Sequence, residues 1–156
     1  MHIVFRESHG LEETETPFDP GQDPADLVVL SFSDSDLGAF AAGWHQARTA
    51  GRALPPLRLA NLAALRHPVS VDNYAETTLR GTKAVLVRLI GGEGYWAYGL
   101  TTLQTLARER GLHLAILPGD GRPDPALDAL STLPVPVLRE LARLCEMGGA
   151  AAAETA

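Results

Sequence analysis

Residues 84–120 read AVLVRLIGGEGYWAYGLTTLQTLARERGLHLAILPGD, and their patterning changes twice. Ala84–Ile90 is an almost unbroken apolar run, the form taken by a strand that is covered on both faces. Gly91-Gly92-Glu93-Gly94 ends it. From Tyr95 to Arg110 the spacing becomes helical, with Leu100, Leu103, Leu106 and Ala107 on one face and Gly111 as the stop. A second apolar run, Leu112–Leu117, then leads into Pro118-Gly119-Asp120. Strand, helix and strand at this spacing close as a right-handed crossover between parallel strands.

The same alternation extends toward both ends of the chain. His2–Phe5 and Leu27–Ser31 have strand character, and Leu57–Ala60 has it more weakly. A helix is expected from Asp34 to about Arg48, with Ser33 as N-cap, Asp36 three residues later as an acidic relative of the capping box, and Leu37, Phe40, Ala41 and Trp44 sharing one face. Another follows the His67-Pro68 turn with Ser70 as its cap and Val71, Tyr74, Ala75, Thr78 and Leu79 at helical spacing before Gly81. A last helix starts near Pro136 and aligns Val137, Leu138, Leu141 and Leu144 before Gly148-Gly149. The pattern predicts an α/β fold: an open parallel sheet of about five strands, with helices on both faces in a flavodoxin-like, three-layer arrangement. Residues 1–149 are expected to form this domain. Residues 6–25 read as a long polar first crossover loop, and 150–156 as a linker or truncated tail with no core-forming pattern.

The bulk composition excludes several functions. At 156 residues the chain has room for one core. Thirteen Lys and Arg against 19 Asp and Glu give a net charge of −6, without the basic footprint that nucleic acid demands. No apolar stretch is long enough to span a bilayer, and 1–15 carry Arg6, Glu7, His9, Glu12, Glu13 and Glu15 where a secretory signal would be apolar. A cytoplasmic protein without membrane partners is expected. Cys145 is the one cysteine, so there is no internal disulfide or thiolate cluster, and helix packing is its expected role. His2, His9, His45, His67 and His113 have no metal-ligand spacing. No P-loop or nucleophile elbow occurs, and no catalytic residue is assigned.

Ligands of open parallel sheets bind beyond the carboxyl ends of the strands. The segments expected there are Ser31–Asp36, Asn61, Gly91–Trp96 and Pro118–Asp120. Gly92-x-Gly94-x-x-Ala97 has the form of a dinucleotide fingerprint, but Tyr95 and Trp96 stand where a helix N-terminus must approach pyrophosphate closely. A flavin phosphate calls for a Ser/Thr-rich loop after the first strand. The expected first strand is followed instead by Arg6-Glu7-Ser8-His9-Gly10 and several carboxylates, so no bound flavin or other cofactor is expected. Tyr95, Trp96 and Tyr98 either stack on a flat ligand or belong to the core or an interdomain contact.

Several ordered strings resemble one family. They are Leu57-Arg-Leu-Ala-Asn61-Leu, Leu65-Arg66-His67-Pro68-Val69-Ser70-Val71-Asp72, Thr78-Leu79-Arg80-Gly81, Val87-Arg88-Leu89-Ile90-Gly91-Gly92, Tyr95-Trp96-x-Tyr98-Gly99, Leu117-Pro118-Gly119-Asp120-x-x-Pro123-Asp124-Pro125 and Leu130-Ser131-Thr132-Leu133. Together they are similar to the N-terminal region of the large subunit of cobaltochelatase, from aerobic cobalamin biosynthesis, and more distantly to the magnesium chelatase large subunit. Asn73 departs from the apolar residue expected in the Ser-Val-Asp-x-Tyr string. The family's chains are many times longer.

The resemblance implies a part in inserting cobalt into hydrogenobyrinic acid a,c-diamide, a metal–nitrogen ligase reaction. Its partners would be the corrinoid substrate, the other domains of the large subunit and AAA+ motor subunits that use ATP and magnesium. A domain of this size is expected to be inactive alone, supplying a wall or lid of the substrate enclosure. Arg66, His67, Gly91, Gly92, Tyr95, Trp96 and Asp120 combine loop placement with family motifs, and are the candidate substrate-binding or interdomain residues. The competing readings are a stand-alone flavodoxin-like module for a small molecule or nucleotide, and a protein-interaction domain.

Overall fold

The computed structural model describes residues 17–156. Four parallel strands form its sheet: β1 (Leu27–Ser31), β2 (Leu57–Asn61), β3 (Ala84–Leu89) and β4 (His113–Pro118), in the order β2-β1-β3-β4. Leu27 pairs in register with Leu57 on one side and Ala84 on the other, and Ala84 pairs with His113. The expected open parallel α/β fold is therefore present, with four strands among the described residues rather than about five. The expected strand His2–Phe5 lies outside them.

The helices are α1 (Asp34–Thr49), α2 (Pro68–Glu76), α3 (Ala97–Arg110), α4 (Pro125–Leu130), α5 (Val135–Met147) and α6 (Gly149–Thr155), with 3₁₀ turns at Leu62–Leu65 and Glu93–Trp96. Strand side chains alternate between two faces. Val28, Leu30, Val85, Val87, Leu89, Leu114 and Ile116 form one core with Val71 and Tyr74 of α2 and Leu100, Leu103 and Leu106 of α3. On the opposite face Ala115 and Leu117 meet Leu138 and Cys145 of α5, while α1 packs on β1 and β2. Helices on both faces explain why the strand sequences are nearly continuous in apolar residues.

Both sheet edges are covered. Beside β4, Ser131 Oγ accepts from Ile116 N at 2.9 Å and Thr132 Oγ1 accepts from Leu114 N at 2.8 Å. Beside β2, Gln22 Nε2 donates to Leu59 O at 2.7 Å. These bonds occupy part of the strand edges on which another strand could pair. They also give the Ser131-Thr132 string a structural purpose.

Several local expectations are corrected. α2 begins at Pro68, and its cap is His67, whose Nδ1 accepts from Val69 N at 3.1 Å. Ser70 is buried inside the helix, where its Oγ accepts from Phe18 N at 2.7 Å. Proline at the first helical position favours the earlier start. α2 ends at Glu76, so Thr78 and Leu79 lie in the turns that follow. The third helix starts at Ala97, after the 3₁₀ turn. Ser33 caps α1 by accepting from Asp36 N, but the Asp36 carboxylate does not reach back as a capping box would; it turns into the interior. α1 buries Asp36, Gly43 and Ala47, whereas Leu37, Phe40, Ala41 and Trp44 are half-buried.

Part of α1 is covered by α6. Residues 149–155, where a patternless tail is expected, are helical and packed on α1. A Cβ on Gly43 would lie 2.6 Å from Ala150 O and 2.8 Å from Glu154 N, so the glycine permits backbone-to-backbone approach. Alanine has the strongest helix propensity, and four in succession form a helix without amphipathic patterning.

Candidate functional site

The order β2-β1-β3-β4 reverses direction between β1 and β3, and the loops at their carboxyl ends meet at this switch point. Gly91 and Gly92 follow β3 at φ 88° and 74°, values that a side chain would strain. They face Pro118–Pro125 across an open cleft of about 310 Å³ that Asp120 and Arg122 also line. Gly119 N donates to Leu89 O at 2.6 Å, and the Phe32 ring sits so close to Gly119 that a Cβ there would be 2.3 Å from it. Phe32 thus closes the floor of the switch point.

The predicted residues separate into rim and core. Tyr95 is 39 % exposed, and the Arg66 guanidinium lies over its ring at 5.9 Å, so these two come together as a cationic aromatic ledge. Tyr98 is 46 % exposed and donates its hydroxyl to Asp72 Oδ1 at 2.7 Å, a bond that pushes its pKa upward. Ile90 and Val69, each 45 % exposed, add apolar surface. Trp96 does not join the rim. It is 6 % exposed, its Nε1 donates to Leu65 O at 2.8 Å, and its ring lies where a Cβ of Gly99 would fall. His67 is spent on capping α2. Asp120 is exposed in the cleft loop, where its Oδ1 accepts from Arg122 N at 3.1 Å.

This geometry removes the dinucleotide reading of the glycine run. Glu93–Trp96 form a 3₁₀ turn, and Trp96, at φ −143° and ψ 47°, interrupts the path into α3. The indole then packs in the core against Gly99 of the first turn of α3. The loop Arg6–Gly10, whose composition does not suit a flavin phosphate, lies outside the described residues. The first strand of the described sheet is β1, whose following loop is serine-rich: Ser31-Phe32-Ser33-Asp34-Ser35-Asp36. Two of its serines are engaged, because Ser31 Oγ donates to Asp36 Oδ2 at 2.8 Å and Ser33 Oγ caps the helix. Asp34 and Asp36 place negative charge at the end of α1 that would otherwise attract a phosphate.

Sequence reasoning missed a buried ionic cluster below the rim. Arg88 of β3 is 8 % exposed and its Nη1 donates to Asp36 Oδ1 at 2.7 Å, while Nη2 donates to Glu146 Oε1 of α5. Burial weakens the charged form of Arg88, but the bond to Asp36 and the nearby acidic groups outweigh it and raise its pKa. Its Nε has no partner among the described residues. The available signal was that Arg88 shares a strand face with Leu86, two residues away, so that its charge had to meet a partner from α1 or α5. Among the described residues no His, Cys, Asp and Glu side chains group as a metal site, and no helix is long and apolar enough to cross a membrane.

Sheet order, two helical layers and a glycine-lined carboxyl-end rim define a flavodoxin-like parallel α/β domain. The chain is 39 % identical over 133 residues to the aerobic cobaltochelatase subunit CobN of a Sinorhizobium species, and 40 % identical over 149 residues to that of Pseudomonas aeruginosa. These alignments cover 85 % and 96 % of this chain, but only 10 % and 12 % of the relatives. The chain belongs to the CobN family of cobaltochelatase subunits, and spans about a tenth of the length of the curated relatives it matches. No protein-family model and no solved structure matches it.

Proposed function

We propose that this chain serves as the N-terminal domain of an ATP-dependent cobaltochelatase large subunit, and that its carboxyl-end rim forms one wall of the corrinoid enclosure. The reaction would be cobalt insertion into hydrogenobyrinic acid a,c-diamide, in the cytoplasm. The other domains of the subunit would complete the cavity, and AAA+ motor subunits with ATP and magnesium would supply the work. The domain binds no cofactor of its own in this reading and is inactive alone.

The observation that carries the proposal is the exposure of Tyr95, Ile90 and Tyr98 beside the Gly91-Gly92 turn, with Arg66 over the Tyr95 ring. A planar macrocycle bearing carboxylates suits such a ledge, since an aromatic face meets the ring and a guanidinium meets an acid. The cleft is open and shallow, consistent with one wall rather than a whole site. Asp34 and Asp36 at the α1 N-terminus disfavour a phosphate-bearing nucleotide or flavin as the ligand.

The test is corrinoid binding by the full-length subunit carrying Tyr95→Ala, followed by fluorescence or calorimetry. Affinity is expected to fall by about tenfold, the value of one lost stacking contact near 1.4 kcal/mol, with the melting temperature nearly unchanged. Unaltered affinity for both Tyr95→Ala and Arg66→Ala would refute a corrinoid-facing rim.

A further inference from the structure

We propose that Arg88 is the positioning residue of the rim: one buried guanidinium holds the loops after β1 and β4 in a fixed relation to β3 and the loop that follows it. This rests on the reading of that rim as the functional face, but its structural part can be tested separately. The first branch runs to the loop after β1. Arg88 Nη1 holds Asp36 at 2.7 Å, Asp36 holds Ser31 Oγ at 2.8 Å, and Ser31 Oγ accepts from Ser33 N at 3.0 Å. The Arg88 Cζ also lies 5.8 Å from the centre of the Phe32 ring, and Phe32 N donates to Arg88 O at 3.1 Å.

The second branch runs to the loop after β4. Arg88 Nη2 holds Glu146, whose carboxylate carbon lies 3.4 Å from where a Cβ on Gly121 would be. The Glu146 carboxylate therefore rests against the turn that carries Asp120 and Arg122. The third connection is the backbone of β3 itself, since Leu89 follows Arg88 and accepts from Gly119 N at 2.6 Å ahead of Gly91 and Gly92.

A role in holding the core together would not require this arrangement. A buried ion pair replaced as a whole by apolar residues often keeps its stability, because the charges lose hydration on burial, whereas removing one member leaves the other charge uncompensated. An arginine buried here between two carboxylates from different helices, with no partner for its Nε among the described residues, is better explained by the geometry it imposes. The guanidinium is planar and forked, so it fixes both carboxylates relative to one strand, which a lysine ammonium does not do.

The experiment is hydrogen–deuterium exchange on this 156-residue chain, read alongside its thermal melt, for Arg88→Met, Arg88→Lys, Asp36→Asn and Glu146→Gln. Arg88→Met leaves Asp36 buried without its partner, so it is expected to melt roughly 6–20 °C below the parent, with exchange at 31–36 and 118–122 raised at least about tenfold beyond the rest of the domain. Arg88→Lys should not restore both loops. Asp36→Asn should loosen mainly 31–36, and Glu146→Gln mainly 118–122. Uniformly faster exchange across the domain, or unchanged exchange in both loops, would overturn the proposal. If Arg88→Met does not fold, Glu146→Gln remains decisive, because Glu146 is half-exposed and its loss breaks a single branch. In the full-length subunit, Arg88→Met should raise KM for the corrinoid and leave kcat within about twofold. Loop loosening without a KM change would reject the rim as the corrinoid wall while leaving the positioning role intact.

Discussion

Trp96→Ala distinguishes the core of this domain from its rim. The indole is 6 % exposed, packed among α2, α3 and the sheet, and its N–H is bonded to Leu65 O. Truncating a buried tryptophan costs about 3–5 kcal/mol. Trp96→Phe keeps much of the volume but leaves the Leu65 carbonyl without its donor, which costs about 1–3 kcal/mol if water cannot replace it. At about 2–4 °C per kcal/mol for a chain of this size, the alanine variant should melt roughly 6–20 °C below the parent. The phenylalanine variant should lie in between. The assay is thermal unfolding followed by far-UV circular dichroism, with urea titration as a second measure. A loss of less than about 2 °C for Trp96→Ala, accompanied by weaker corrinoid binding in the full-length subunit, would refute the placement of Trp96 in the core.

Two glycines of α1 should respond oppositely to alanine. Gly38 has open space where a Cβ would sit, so Gly38→Ala should stabilise by about 1 kcal/mol through helix propensity, whereas Gly43→Ala meets the α6 backbone and should lose about 1–3 kcal/mol through overpacking; denaturant midpoints measure both, and equal shifts would contradict the close α1–α6 contact. Burial, partly opposed by Arg88, pushes the Cys145 thiol up to about 11. Its contribution to stability should be fully present below the ordinary thiol pKa of about 8.5 and lost as pH rises through about 11. Cys145→Ala should flatten that part of the stability–pH curve, and identical curves for the two proteins would refute it.

The sheet was legible because its strands are covered on both sides, which leaves Val/Leu/Ile runs that glycines and prolines interrupt cleanly. Strand order was not, since register and neighbours depend on which helix covers which face. Tyr95 and Trp96 are adjacent in sequence, yet one is exposed and the other buried, and only the 3₁₀ turn at Glu93–Trp96 decides which is which. α6 escaped notice because its contact with α1 depends on a glycine and alanines, which carry little hydropathy contrast. α4 left a readable trace: Asp124 precedes Pro125 and its Oδ1 accepts from Ala126 N at 3.0 Å, a capping arrangement with proline at the first helical position. Asp36, three residues after the Ser33 cap, reads as the reciprocal member of a capping box because its sequence position suits one. The charge that draws it inward lies 52 residues away, on β3.

The most direct test of the rim's role is hydrogen–deuterium exchange across 89–98 in three states: this chain, the full-length subunit, and that subunit saturated with corrinoid. The account predicts slower exchange at Ile90–Tyr95 when corrinoid is added, with 76–82, at the opposite, amino end of β3, unchanged. Equal exchange at 89–98 with and without corrinoid would contradict it.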